Sequence, residues 1–370
     1  MKIVMLSRHG CIRAVCKEAL PLIERGHEVH LIVNKITQGS ERFHSVFVYQ
    51  DTDQLYAAIK MHKDADVFHA HNEPSWFVTM IKDVNQHTPV ILDIHDSHLL
   101  RKTPEEQQAE KQDNPQAFRI AIDERNNFQL ADGLIYVCEP MKRIVGEEFA
   151  LKQPSIVLPS YVPRGFYRID FDDWVGGLVY EGRIDIPDEL PGKWQAFFRY
   201  SDYLDFGRKC KEIGMDFHIY SPRENEKVRE QYGRVAIMHD PEKFDRLIKK
   251  LGRHDWGLVG NLRPHTEWKN ALPNKLFEYM AGCVPIVSMH AEESSRIVDE
   301  FGVGITVQSP EELATRWREH RDCRANLIKH RFHFAMENHI HHVESLYKQV
   351  LEASRPMAAV VSSKVDHARG

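Results

Sequence analysis

Asn270-Ala-Leu-Pro-Asn-Lys-Leu-Phe-Glu-Tyr-Met-Ala-Gly282, continued by Cys283-Val-Pro-Ile-Val-Ser288, reads as a loop that turns into a helix and then into a buried strand. Pro273 presets φ for the helix start, and Asn274 is expected to cap the first turn. Leu276, Phe277, Met280 and Ala281 recur at helical spacing and face a core. Lys275 and Glu278 lie three apart, so both project from the exposed side of the same helix. The unpaired N–H groups and positive dipole end of that helix suit an anionic group such as a diphosphate. A carboxylate one turn deeper, Glu278, is placed to accept hydrogen bonds from the two hydroxyls of a ribose. These residues point to a nucleotide site.

Working outward, apolar runs alternate with helical stretches along the whole chain. Lys2–Leu6, Glu28–Val33, Ser45–Val48, Asp66–Ala70, Val90–Ile94 and Gly133–Val137 are expected as strands, with helices such as Ile12–Arg25 and Leu55–Lys63 between them. Near-continuous hydrophobic runs suit parallel strands covered on both faces, and strand–helix alternation implies a doubly wound α/β domain with ligands beyond the carboxyl ends of its strands. Pro154, Pro159, Pro163 and Gly165 mark a turn-rich connection. A second set follows: Gly177–Tyr180, Asp216–Tyr220, Arg234–Met238, Asp255–Val259, Val284–Ser288 and Val303–Val307. Helices are expected over Glu311–His320 and Arg331–Leu351, and Ser354–Gly370 reads as a flexible tail.

Composition sets bounds on function. The 370 residues suit two domains, and 42% hydrophobic with 28% charged residues describes a soluble globular protein. No apolar run reaches the roughly 18 residues of a spanning helix, and the start lacks a signal-peptide pattern. A net charge of −5 provides no global pull towards nucleic acid or anionic membrane. The six cysteines form no C-x-x-C pair and read as reduced, buried thiols of a cytoplasmic protein. Among the 22 histidines, His69-Ala-His71 and the group His330, His333, His339, His341 and His342 invite a metal reading. Neither comes with a clear closing set of ligands, and no metal is expected.

The Asn270–Gly282 segment resembles the donor-binding motif of GT-B glycosyltransferases, in particular the retaining family 4. Its pattern Pro-Asn-Lys-Leu-Phe-Glu-Tyr-Met-Ala-x-Gly-x-Pro-x-Val opens the helix that holds the nucleotide; Cys283 stands where the pattern has glycine. The resemblance covers most of Met1–Leu351 and implies two Rossmann-like domains facing a central cleft. The N-terminal, acceptor-side domain would span 1–158 and a connection 159–175. The nucleotide-sugar domain would span 176–330, and a helix at 331–353 would return to the first domain, leaving 354–370 as the tail.

The resemblance also implies site residues. Arg183 of Glu181-Gly182-Arg183 matches the arginine that stabilises the leaving diphosphate; a guanidinium at a strand's carboxyl end grips a diphosphate by paired hydrogen bonds. The family's following lysine is replaced by an atypical insertion, so Lys193, Arg199 or Lys275 is left to supply the second positive charge. Glu278 matches the second acid of the family's carboxylate pair, and Asn270 stands at the first. Asn274, Lys275 and Leu276 complete the helix start. Gly10, after the first strand, lets a phosphate or sugar approach the backbone, with His9 beside it. His95 matches a histidine beside the donor sugar, and His71, Asn72 and Glu124 fall on the acceptor side.

The expected activity is transfer of a hexose from a nucleoside-diphosphate sugar, UDP ahead of GDP, to a hydroxyl of a glycan, lipid-linked or small-molecule acceptor, with retention and without metal. Peripheral membrane contact and a modified base of viral DNA remain as further partners. A non-catalytic sugar-nucleotide- or glycan-binding protein and a sugar-nucleotide epimerase are the alternatives. Oligomeric state is not legible.

Overall fold

A computed structural model describes residues 1–8, 13–71, 76–97, 100, 115–171, 173–186, 201–222 and 225–354, with the backbone alone at 14, 115–122 and 267. Two all-parallel sheets organise it. The first has seven strands: β1 (Lys2–Ser7), β2 (Glu28–Val33), β3 (Ser45–Val48), β4 (Val67–His71), β5 (Val90–Ile94), β6 (Gly133–Tyr136) and β7 (Ser155–Val157). Their order in space is β3-β2-β1-β4-β5-β6-β7. The second has six: β8 (Leu178–Glu181), β9 (Phe217–Tyr220), β10 (Ile237–His239), β11 (Trp256–Gly260), β12 (Ile286–Met289) and β13 (Gly304–Thr306), ordered β10-β9-β8-β11-β12-β13. Both are doubly wound. In each the order reverses between the first and fourth strands, so a crevice opens beyond the carboxyl ends of β1 and β4 and of β8 and β11.

The apolar runs bury as their continuity predicts. Ile3, Val4, Met5 and Leu6 of β1 and Val90, Ile91 and Ile94 of β5 are fully covered, as are Leu178, Trp256 and Leu258 in the second sheet. Among the described residues no helix is long and apolar enough to cross a membrane. Cys16, Cys138, Cys210, Cys283 and Cys323 are buried and form no disulfide among the described residues.

Four stretches depart from the sequence-based expectations. The first helix is a widened π turn over Arg13–Glu18 followed by Ala19–Glu24; Pro21 has no N–H to return to the Lys17 carbonyl, and the wide turn carries Arg13 and Lys17 inward. The expected helix Glu311–His320 is Pro310–Thr315, a 3₁₀ turn at Trp317–Glu319, and a further helix His320–His330. The expected single helix from Arg331 is broken at Ala335, which is extended (φ −77°, ψ 131°) and bridges to Val162. The last helix therefore runs Ile340–Ala353, and the terminal histidines do not share one helix. That helix packs on β6 and β7, with Ile340, Val343, Leu346, Tyr347 and Val350 buried. Strand β7, which follows Pro154, was not expected at all. Of the tail, residues 355–370 lie outside the described residues.

Candidate active site

The crevice of the second sheet is built around the helix Asn274–Ala281. Tyr279 docks it: its hydroxyl accepts from the Glu181 N–H at 3.0 Å and lies 3.3 Å from the carbonyls of Val179 and Leu258, so one side chain ties the helix to β8 and β11. A Cβ at Gly257 would lie 2.6 Å from the Tyr279 ring, so glycine makes room for it. Pro273, not Asn274, is the N-cap (φ −72°, ψ 151°), without a side-chain capping bond. Asn274 is instead the exposed first helical residue, and its Oδ1 accepts from Lys17 Nζ at 3.2 Å. Leu276 is buried in the core and holds the helix from beneath.

Glu278 faces across the gap to the first sheet. Lys17 Nζ lies 2.8 Å from its Oε1, and Lys17 is 0% and Glu278 4% exposed. Beside this pair is Glu181, at the end of β8. Burial and then the Glu278 charge push its carboxyl up to about 8. Its buried Oε2 has no partner among the described residues. Gly182 follows at φ +136°, where a Cβ would meet Tyr180 Oη at 3.1 Å and the Lys275 Cε and Nζ at 3.3 Å. The missing side chain lets Lys275 lie against the strand end, with its ammonium 5.1 Å from the Tyr180 ring and 5.0 Å from that of Trp268.

The other expected residues of this wall are placed less directly. The Arg183 fork is engaged by Asp185, Nε to Oδ2 at 2.6 Å and Nη2 to Oδ1 at 3.0 Å, with 44% of the Arg183 side chain exposed. Ser201 Oγ donates to the same Asp185 Oδ2 at 2.6 Å. Asn270 ends the helix Thr266–Asn270; its carbonyl accepts from Cys138 Sγ at 3.0 Å, so its backbone touches the first domain's side. Lys193 and Arg199 lie outside the described residues.

On the facing wall, His71 ends β4 and His95 follows β5. Asp93 sits between them: its Oδ2 is 2.8 Å from His95 Nε2 and 3.1 Å from His71 Nδ1, and the two rings approach at 2.9 Å through the same nitrogens. Arg13 clamps the other side of Asp93, with Nε 2.6 Å from Oδ2 and Nη2 3.0 Å from Oδ1, and reaches Ser160 Oγ at 2.9 Å and the Leu158 carbonyl at 2.8 Å. Burial alone would raise the Asp93 carboxyl, but Arg13, His95 and His71 together hold it well below the usual carboxylate range. Burial lowers His71 to about 4 and keeps it neutral.

Behind them, His69 Nδ1 meets Tyr347 Oη of the last helix at 2.6 Å, and buried Glu18 lies beside Arg13. Glu124 is buried on the helix Pro115–Leu130, which packs on Phe77–Val84. His9, Gly10 and Asn72 lie outside the described residues. Sequence reasoning missed Lys17, Glu181, Arg13 and Asp93. The Asp93-x-His95 spacing, which puts both on one side of an extended chain, was the one signal for any of them.

No protein-family model and no curated protein matches the chain. Solved structures do. A sucrose-phosphate synthase from Thermosynechococcus elongatus superposes over 95% of this chain and 99% of its own, with a TM-score of 0.65 at 12% identity. HepE from Anabaena in complex with UDP-glucose does so with the same coverages, TM-score and identity. An alpha-glucosyltransferase in complex with UDP-glucose and DNA containing an abasic site gives 0.61 at 13% identity, again over 95% and 99%. The chain has the GT-B fold. The GT-B cleft is then the gap in which Lys17 meets Glu278, walled by the ends of β4 and β5 on one side and of β8 and β11 on the other.

Proposed function

We propose that this protein is a glycosyltransferase that moves a hexose from a UDP-sugar to a hydroxyl acceptor with retention. The observation that carries this reading is the helix Asn274–Ala281, docked by Tyr279 at the strand-order reversal of a GT-B sheet, with Glu278 turned into the cleft. Glu278 binds the ribose hydroxyls, giving up Lys17 to do so. Lys275 and the helix start meet the diphosphate, and Arg183 swings from Asp185 to join them. Their positive charge stabilises the departing diphosphate more strongly as its own charge grows, which is transition-state binding. The transfer itself then needs no metal on the diphosphate. Front-face attack returns the acceptor proton to the leaving phosphate oxygen, and His95, oriented by Asp93, lies beside the donor sugar.

In this reading 1–158 is the acceptor-side domain, with His71 and Glu124. Residues 159–175 connect it to the donor domain at 176–330, and 331–353 return to it. Cysteines that form no disulfide among the described residues support work in the reducing cytoplasm. A glycan, lipid-linked or small-molecule hydroxyl is the acceptor. A modified DNA base is the second reading, prompted by the neighbour bound to DNA; the net charge of −5 works against duplex binding.

The test is thermal stability against UDP, GDP and their sugars, with Glu278→Ala alongside. A donor at about 100 times its Kd stabilises by about 2.7 kcal/mol. Stabilisation by UDP-sugars that the variant loses supports the assignment. Equal stabilisation of the variant, or none with any nucleotide, overturns it.

A further inference from the structure

Behind His95, in the interior of the first sheet, four polar atoms have no hydrogen-bond partner among the described residues: Oε1 and Oε2 of Glu18, Nε2 of His69 and Nε2 of His71. Glu18 and His69 are 0% exposed and His71 1%. Orphaned buried atoms are costly one at a time, and here they are neighbours. One donor atom from each of Glu18, His69, His71 and Asp93 lies within 4.8 Å of all the others. We propose that Glu18, His69 and His71 bind one divalent transition-metal ion of the zinc class, with Asp93 and Tyr347 as their supporting partners.

Hydrogen bonding prepares each ligand. His71 engages Nδ1 with the Asp93 carboxylate at 3.1 Å and with His95 Nε2 at 2.9 Å, which leaves Nε2 as its unengaged nitrogen. His69 engages Nδ1 with Tyr347 Oη at 2.6 Å, so Nε2 is its unengaged nitrogen, and ion binding has the tyrosine hydroxyl accept from Nδ1–H. A second partner that fixes the tautomer is the usual support of a metal-bound histidine. Arg13 Nε is 2.8 Å from Glu18 Oε1, but its single N–H is spent on Asp93 Oδ2 at 2.6 Å. Arg13 thus donates to Asp93 and meets Glu18 only as a shared counter-charge, leaving both Glu18 oxygens without a donor among the described residues.

The spacing fits an ion better than a direct bond. His69 Nε2 and Glu18 Oε2 stand 3.5 Å apart, long for a hydrogen bond. Metal bonds of about 2.1 Å in a tetrahedron place ligand atoms about 3.4 Å apart. Two imidazoles on alternate residues of β4, with ring centroids 4.8 Å apart, and a carboxylate oxygen from the Arg13–Glu18 turn provide three ligand atoms, with the fourth position left to a water. A nitrogen–oxygen set without thiolate selects zinc-class ions over calcium or magnesium. The second histidine group, His218, His239 and His254, differs: it has no carboxylate, and His218 Nδ1 is spent on His239 Nε2 at 2.9 Å. The ion would pin β4 to the first turn and, through His71 and Asp93, set the ring of His95. It does not touch the donor, and the inference stands whether or not the proposed activity does.

Elemental analysis of the full chain, purified without a metal-affinity step and dialysed against a mild chelator, tests it. Stoichiometric zinc is expected, lost in Glu18→Gln and in His71→Gln and kept in His254→Gln. Protein grown with cobalt should show weak visible bands of nitrogen–oxygen ligation, a readout that needs no variant. Metal-free wild type that gains no Tm with Zn²⁺ or Co²⁺ overturns the proposal, since a buried water then fills the space. Thiolate bands from cobalt, or full metal in a folded His71→Gln, overturn it as well.

Discussion

Lys17 and Glu278 are 261 residues apart in the chain and meet at 2.8 Å with almost no solvent contact. One comes from the turn after the first strand of the first sheet, the other from the helix that walls the second crevice. The pair spans the cleft and occupies the carboxylate assigned to the ribose. A buried ion pair contributes modestly in itself, but removing one partner strands the other's charge at a cost of about 3–5 kcal/mol. Lys17→Met should therefore destabilise the protein by about 3 kcal/mol in urea unfolding. Adding Glu278→Gln should recover most of the loss. Additive effects of the two substitutions would show that the pair is not coupled.

Glu181 makes stability depend on pH. Its folded-state carboxyl, pushed up to about 8, keeps a proton that the unfolded chain releases near 4.5. Between those values the native state binds the extra proton, so stability falls as pH rises through this window and levels off above about 8. Glu181→Gln should flatten the slope in unfolding measured from pH 5 to 9. Under the proposed function, donor KM should also rise above pH 8 in the parent and not in the variant, because a charged Glu181 repels the diphosphate.

Arg183 should separate catalysis from stability. Its partner Asp185 is an ion pair on a side chain 44% exposed, worth about 0–1 kcal/mol. Arg183→Ala should shift Tm little yet lower kcat by roughly a hundredfold, the scale of losing one donor to a developing negative charge. Steady-state kinetics with the donor identified by binding checks this; unchanged kcat would remove Arg183 from the diphosphate.

Asp93 and His95 should behave oppositely although they touch. Asp93→Asn removes one of the two carboxylates that face the buried Arg13 guanidinium and should cost about 3 kcal/mol. His95, with a fifth of its side chain exposed, should cost under about 1 kcal/mol as His95→Asn. Thermal unfolding of the two variants decides the order.

The alternation of buried runs with helices was readable because parallel strands covered on both faces cannot carry polar residues without partners. Leu276, Phe277 and Met280 made the helix Asn274–Ala281 readable by spacing alone. What escaped is tertiary. Lys17 looks like any surface lysine until the π turn rotates it inward. Asn274 resembled a cap because its residue type favours that role; the chain instead gives the extended position to Pro273. The break at Ala335 depends on a bridge to Val162, a partner 173 residues earlier, which no local pattern announces.

The last helix, Ile340–Ala353, lies on β6 and β7 and joins Tyr347 to His69. The first sheet is thus covered by a segment far downstream in the chain. On the ribosome, β1 to β7 emerge without their final cover and must wait while the later half is translated. Severing the chain after residue 330 would therefore uncover the sheet that lies farthest away in sequence.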